Sequence, residues 1–187
     1  MISRMVNLPN VISLSRLLSV PLIVLFILSR HFNLAFMCFL FAALSDALDG
    51  FLARVFSSRT TFGAYLDPIA DKVLLISVYA ALGKVGLIQL WIVILVVFRD
   101  VLIIGGSLLL FLFKNTQKIK PLFISKLNTA VQLFYALFVL SQINSFFGLS
   151  DLNLYLGYLV GLTTLLSGAS YVKLGFIDFN KMDISVS

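Results

Sequence analysis

Long apolar stretches alternate with short polar breaks along this chain. A helix needs roughly 20 residues to cross ~30 Å of hydrocarbon. Six stretches come near that length: Leu8 to Leu28, Leu34 to Phe56, Phe62 to Leu82, Leu87 to Phe113, Ser125 to Ile143 and Leu154 to Val172. The breaks hold turn-formers and charges: Ser29-Arg30-His31, Ser57-Ser58-Arg59, Gly83-Lys84, Lys114 to Pro121 and Asn144 to Asp151. The pattern predicts an all-α integral membrane protein, a bundle of six transmembrane helices forming one domain over residues 1–187. Before Pro9, the residues Ile2, Met5 and Val6 interleave with Arg4 and Asn7. A short N-terminal interfacial segment fits that pattern, and so does a frayed terminus. Arg16 and Pro21 interrupt the first apolar run, which has no clear small-residue cleavage site. A retained helix is therefore expected there rather than a cleaved signal.

Composition identifies the solvent. Hydrophobic residues make up 60% of the chain and charged ones 12%, where a soluble domain carries about 25% charged residues. The mean hydropathy is +1.07. So little polar surface implies that much of the exterior faces lipid. The formal charge is +6, and all 8 acids are aspartates. A basic balance fits nucleic acid or an anionic membrane, and the apolar runs favour the membrane, so no nucleic-acid partner is expected. With the N-terminus cytoplasmic, Arg4, Arg54, Arg59, Lys114, Lys118, Lys120, Lys126, Lys173 and Lys181 fall on or near the cytoplasmic side. Only Arg30 and Lys84 fall outside, so both termini are expected in the cytoplasm. The single Cys38 permits no disulfide within the chain.

One segment is not apolar filler. Asp46, Asp49, Asp67 and Asp71 lie within 26 residues, and each charge at mid-helix costs ~2.5–3.5 kcal/mol on insertion scales. A structural ion pair accounts for one such residue, but only Arg54 and Lys72 are close in sequence. Bound metal is the natural counter-charge for four. At 100° per residue, Asp46, Asp49, Gly50 and Ala53 share one helix face, with Arg54 at its edge. Gly63, Asp67 and Asp71, at i, i+4 and i+8, share a face of the next helix. The short break from Ser57 to Thr61 makes the two helices antiparallel neighbours, so these faces can meet near the cytoplasmic end. Hard oxygen ligands suit Mg²⁺ or Mn²⁺, and four can hold two ions. His31, the only histidine, lies on the other side, which excludes a His-based zinc site. Gly50 and Gly63 fit ordinary helix packing, or the close approach of a ligand to the backbone.

Asp46, Asp49, Gly50, Ala53, Arg54, Gly63, Asp67 and Asp71 match D-x2-D-G-x2-A-R-x8-G-x3-D-x3-D without departure. This signature resembles that of the CDP-alcohol phosphotransferase family. At residue usages of ~5–8% a chance match at a given start is on the order of one in 10⁹. The resemblance implies a six-helix membrane fold in which Asp46, Asp49, Asp67 and Asp71 ligate two divalent ions bridging the pyrophosphate of a CDP-activated lipid such as CDP-diacylglycerol. It implies that Asp71 also takes the proton from the acceptor hydroxyl, and that CMP leaves. Gly50, Ala53, Arg54 and Gly63 are the implied CDP contacts. Asn10, Ser13 and Arg16 resemble the family's first helix, where polar residues approach the nucleotide. Arg16 lies too deep to snorkel easily and needs an anionic partner; the donor pyrophosphate or one of the four aspartates would serve.

The acceptor alcohol depends on the fourth and fifth helices. Adjacent residues on a helix point about 100° apart, so Arg99 and Asp100 are not expected to pair face to face, and at least one should face the interior. Lys118, Lys120 and Lys126 form a basic cluster of the kind that also binds anionic headgroups without specificity. Leu66 to Lys72 resembles the branch making phosphatidylglycerol phosphate and cardiolipin. Arg99 to Ile103, with Lys120-Pro121 and Ile124 to Gln132, is similar to the cardiolipin synthases. Asn128 stands where the phosphatidylglycerophosphate synthases resemble one another in a lysine. Glycerol 3-phosphate carries nearly two negative charges and phosphatidylglycerol one, so one fewer lysine favours phosphatidylglycerol as acceptor, with glycerol 3-phosphate the alternative. Arg99, Lys126 and Thr129 are the candidate acceptor contacts, and a lysine at Asn128 is expected to favour the phosphomonoester. Ser167, Gly168, Ala169 and Ser170 are small enough for close helix contact and are compatible with a homodimer. An ion-coupled transporter is the rival class, but neither paired repeats nor broken helices are visible. A catalytically dead lipid-binding homologue is the other rival, and the intact motif weighs against it.

Overall fold

A computed structural model describes the backbone of residues 8–55, 61–112, 123–142 and 150–186. The described residues form six helices and no strands: α1 (Leu8–Leu28), α2 (Phe32–Val55), α3 (Thr61–Val85), α4 (Leu90–Leu112), α5 (Phe123–Gln142) and α6 (Ser150–Val186). The interfacial segment expected before Pro9 lies outside the described residues, except for Leu8. So do most of the breaks at Ser57 to Arg59, Lys114 to Pro121 and Asn144 to Asp151.

The helices follow the apolar runs, and the departures have local causes. Gly83 and Lys84, expected in a break, remain helical, and α3 ends at Val85. The chain turns at Gly86, whose φ is 82°. The Gly86 N–H donates to the Gly83 carbonyl (3.1 Å), and the Leu87 N–H reaches the Leu82 carbonyl (3.0 Å). Only glycine takes that left-handed conformation without strain, so it is the residue that closes a helix this way. The expected start of the fourth span at Leu87 therefore moves to Leu90. The end of α1 closes by the same geometry, with the His31 N–H on the Phe26 carbonyl (2.8 Å), but there the left-handed residue is Arg30, at φ 61°. The last helix begins four residues before the expected span and runs 14 beyond it, to Val186.

One apolar core joins the helices. Ile23, Ile27, Phe39, Val78, Tyr79, Leu82, Ile92, Val96, Leu140 and Val160 are buried within it. Lys72 meets Asp100 while Gly83 meets Val93, which sets α3 and α4 antiparallel. Asn128 meets Thr163 while Tyr135 meets Gly157, which does the same for α5 and α6. Two glycines one turn apart let α6 sit close to α4. A Cβ at Gly157 would lie 2.9 Å from Ile92, and one at Gly161 would lie 2.7 Å from Trp91. Small residues four apart bring membrane helices together in this way. Outward faces are apolar as well: Leu18 is 70% exposed, Phe41 69% and Phe98 64%. Two described helical segments, Phe123–Gln142 and Asp151–Leu174, are each long and apolar enough to cross a membrane.

Candidate active site

The signature divides between α2 and α3. Asp46 and Asp49 lie one turn apart near the end of α2, and Asp67 and Asp71 lie one turn apart in α3. The side chains of Asp46, Asp49, Gly50, Ala53, Arg54, Gly63 and Asp67 are outside the described ones, as are those of Asn10 and Ser13. Asp71 is described, with 35% of its side chain exposed. Its flanks explain that position: Ala70 and Leu74 are buried in the core, which leaves Asp71 at the edge of the packed face.

Arg16 of α1 meets it there. Its Nη1 donates to Asp71 Oδ1, and the arginine is only 2% exposed. Of the anionic partners the sequence left open for this cation, the structure brings an aspartate of the signature. Arg16 is the partner that depends on the contact: its charge is buried and would be left uncompensated without Asp71, whereas Asp71 keeps access to solvent.

A second charged group begins one residue on. Lys72 Nζ donates to Asp100 Oδ1 across 2.7 Å, joining α3 to α4. Arg99 Nη1 donates to the same oxygen across 2.5 Å. Arg99 and Asp100 thus pair, contrary to the expectation from their 100° offset. The arginine side chain is long enough to reach around the helix to its neighbour's carboxylate, and both residues are buried. The remaining guanidinium donors reach two other helices. Nε and Nη2 donate to Ser167 Oγ on α6 (3.2 and 2.8 Å), and Nη2 also donates to Ser125 Oγ on α5. Asp100 Oδ2 is buried without a hydrogen-bond partner among the described residues.

Asn128 lies one turn deeper than Ser125 and is fully buried. Its Oδ1 accepts hydrogen bonds from Thr163 (2.8 Å) and Thr164 (3.0 Å). Gln132 Nε2 donates to Thr164 Oγ1 (3.2 Å), and Tyr79 OH donates to the Gln132 carbonyl (2.9 Å). The sequence reading took Asn128 as a missing acceptor charge and overlooked this role as a helix tie. Two amides at i, i+4 on α5 and two adjacent hydroxyls on α6, all in apolar runs, were the available signal. A lysine at 128 would bury an ammonium next to α6, so it is not a simple addition of charge. The other candidate acceptor contacts differ in access. Lys126 is exposed, whereas Thr129 Oγ1 donates to the Ser125 carbonyl of its own helix (3.1 Å). Of the small residues considered for a dimer contact, Ser167 and Gly168 lie against Arg99 within the chain, and Ser170 donates to the Leu166 carbonyl.

The four signature aspartates thus stand as two pairs on consecutive helices, and the last of them meets a buried arginine. The chain belongs to the CDP-alcohol phosphatidyltransferase family, whose pattern matches residues 6–166. It is 38% identical to the chloroplastic CDP-diacylglycerol–glycerol-3-phosphate 3-phosphatidyltransferase 1 of Oryza sativa subsp. japonica, over 90% of this chain and 56% of the relative. It is 36% identical to the cardiolipin synthase (CMP-forming) of Homo sapiens, over 68% of this chain and 48% of the relative. It is 42% identical to the CDP-diacylglycerol–glycerol-3-phosphate 3-phosphatidyltransferase of Aquifex aeolicus, over 72% of this chain and 74% of the relative. The matches to the rice and human relatives take in about half of each relative's length.

Proposed function

We propose that this protein transfers the phosphatidyl group of CDP-diacylglycerol to the hydroxyl of a glycerol-type alcohol, releasing CMP. The observation that carries this reading is Asp71, last of the four signature aspartates, held by Arg16 at the edge of the core. The four carboxylates are all hard oxygen donors and fit Mg²⁺ or Mn²⁺. Asp46, Asp49, Asp67 and Asp71 would hold two such ions, which supply charge stabilisation to the attacking and leaving oxygens. The acceptor oxygen forms a new bond to the phosphatidyl phosphorus as the bond from that phosphorus to CMP breaks. Asp71 takes the hydroxyl proton, and CMP carries away the electron pair of the broken bond. A half-exposed carboxylate suits that role, because the alcohol has to come within hydrogen-bonding reach. Arg16 orients Asp71 from the buried side, and Gly50, Ala53, Arg54, Gly63, Asn10 and Ser13 form the CDP surface.

The bundle works as one membrane domain of six spans with its active site on the cytoplasmic side, where both termini also lie. The exposed leucines of α1 and the Trp91–Tyr158 ring contact between α4 and α6 support the membrane setting, and the uneven distribution of Lys and Arg supports the orientation.

Phosphatidylglycerol is the favoured acceptor. Around Arg99 the described group carries one net positive charge, since the single Asp100 carboxylate takes both Arg99 and Lys72 and Asn128 is neutral. Such a site suits a phosphodiester with one negative charge. Lys126, exposed at the start of α5, is the direct phosphate contact; Arg99 acts from behind it through its field, and Thr129 holds the local helix. Glycerol 3-phosphate is the second reading, favoured by the activity for which the rice and Aquifex relatives are named. The test supplies purified protein with CDP-diacylglycerol, Mn²⁺ and both acceptors at equal concentration in one vesicle preparation, then follows CMP and the lipid made. Cardiolipin is the expected product, and EDTA should abolish CMP release until metal is restored. Phosphatidylglycerophosphate without cardiolipin would reject the acceptor, and full CMP release in chelator would reject the metal site.

A further inference from the structure

At the end of the bundle away from the aspartates, α4, α5, α6 and the turn before α4 enclose a cavity of about 110 Å³. Its wall carries three polar side chains, Gln89, Tyr135 and Asn153, and three aliphatic ones, Leu87, Ile92 and Leu154. The polar groups are short of partners. Tyr135 is 2% exposed, yet its hydroxyl makes no hydrogen bond among the described residues. Asn153 Oδ1 is buried and receives no donor among them. Gln89 Oε1 accepts from the Trp91 indole N–H, which leaves the Gln89 amide nitrogen to donate elsewhere. Buried polar groups are ordinarily satisfied, so two such groups on one wall point to an occupant. Gly157 keeps the space open, because a Cβ there would stand 3.1 Å from the Tyr135 hydroxyl and 2.9 Å from Ile92.

The wall states what it can hold. It offers a donor on Gln89, an acceptor on Asn153 and a hydroxyl that does both, and no charged residue lines it among the described residues. A phosphate or carboxylate would find no cation there, and an ammonium no carboxylate. Hydroxyls both donate and accept, so they match all three groups. Water would match them too, but it would leave Leu87, Ile92 and Leu154 wetted, whereas a carbon backbone covers them. A cavity of about 150 Å³ holds a benzene ring, so 110 Å³ suits a glycerol unit. Leu154 lines the cavity and is also 41% exposed, so apolar surface continues from the wall to the outside of the bundle. We infer that this cavity is a second binding site, separate from the aspartates, for the neutral hydroxyl pair of a glycerol unit. A lipid headgroup and a free polyol share that chemistry. An occupant there joins α4, α5 and α6 and stabilises the fold by mass action, without entering the reaction.

Trp91 is the only tryptophan, and its indole holds Gln89, so its emission reports on this cavity. The experiment places the full chain in phosphatidylcholine nanodiscs without any CDP-activated donor, so that nothing turns over. Glycerol, phosphatidylglycerol and phosphatidic acid are then titrated separately while Trp91 emission is followed. Phosphatidic acid brings the acyl chains and the negative charge but no glycerol headgroup. A saturable change with phosphatidylglycerol and none with phosphatidic acid is expected. Saturation by glycerol as well would identify a free polyol as sufficient, and its absence would assign the site to the lipid headgroup; both support the inference. Tyr135→Phe removes one hydroxyl and keeps the ring, and Asn153→Leu removes the buried acceptor. Each should weaken binding by about tenfold, the size of one lost hydrogen bond. Weakening in either variant supports the inference, so it stays testable where one of them fails to fold. Equal responses to phosphatidylglycerol and phosphatidic acid would show an effect of bulk lipid and overturn it. So would the lack of any saturable change, which would leave water as the occupant, or unaltered affinity in every variant that folds.

Discussion

Where α1, α3 and α5 begin, the bundle holds its charges inside: Arg16 on Asp71, then Lys72 and Arg99 on Asp100, with Ser125 and Ser167 completing the group. At the opposite end the described charges, Arg30, Lys84 and Asp151, are all exposed, and the interior is closed by aliphatic and aromatic side chains with two glycines. A small cavity there is lined by Gln89, Tyr135 and Asn153, polar groups without formal charge. Both ends lie on the same helices, so the difference is not one of fold. Burying charge is costly in lipid and in a core alike, so an end that does it without function would be hard to explain. The ends should therefore answer mutation differently, in chemistry at one and in stability at the other.

The largest effect is expected at Asp71. Asparagine keeps the shape and one oxygen for Arg16 but cannot accept a proton. Asp71→Asn should lower CMP formation by at least about a hundredfold, at the low end of what a lost general base costs, while CDP-diacylglycerol binding stays measurable. Initial rates of CMP release beside a donor-binding isotherm would check this. Near-normal kcat would assign the proton to another group and erase the chemical half of the contrast.

A smaller effect, of the other kind, is expected at Gly161. A leucine there drives its Cβ to 2.7 Å from the Trp91 ring, so α4 and α6 have to separate. Overpacking of this sort costs roughly 1–3 kcal/mol. Thermal unfolding in detergent should show the loss for Gly161→Leu, while the activity per folded molecule and the ratio of products from the two acceptors stay as in wild type. A changed ratio would mean that the two ends are coupled, and the contrast would have to be given up.

The contrast also explains what could be read in advance. Helix positions follow from apolar run length, so α1 was legible to the residue, and so was the need of Arg16 for an anion. The signature located four aspartates because their spacing is set by helix geometry. That at least one of Arg99 and Asp100 faces the interior was legible, and both do; their pairing was misjudged because backbone angle was used without side-chain length, and 100° of offset matters little to a side chain as long as arginine. Asn128 was read as an absent charge because a local pattern does not reveal that Thr163 and Thr164 stand opposite it, some 35 residues away in sequence. Long-range polar partners are the part of a helical membrane fold that periodicity cannot supply.

The smallest expected effect compares two turns at the quiet end. Gly86 and Arg30 close α3 and α1 with the same left-handed geometry, at φ 82° and 61°. An L side chain in that region crowds its own backbone, at about 1 kcal/mol relative to glycine, and part of that is offset because glycine gains more freedom when the chain unfolds. Arg30→Gly should therefore stabilise the protein by a few tenths to ~1 kcal/mol. Arg30 is exposed and its side chain makes no described ion pair, so little is lost with it. Thermal unfolding in detergent, with CMP release measured beside it, checks this. A raised midpoint with unchanged turnover is the expected result. A lowered midpoint would mean that the Arg30 side chain supports the turn in a way its φ angle does not reveal, and altered turnover would show that this end is not chemically silent.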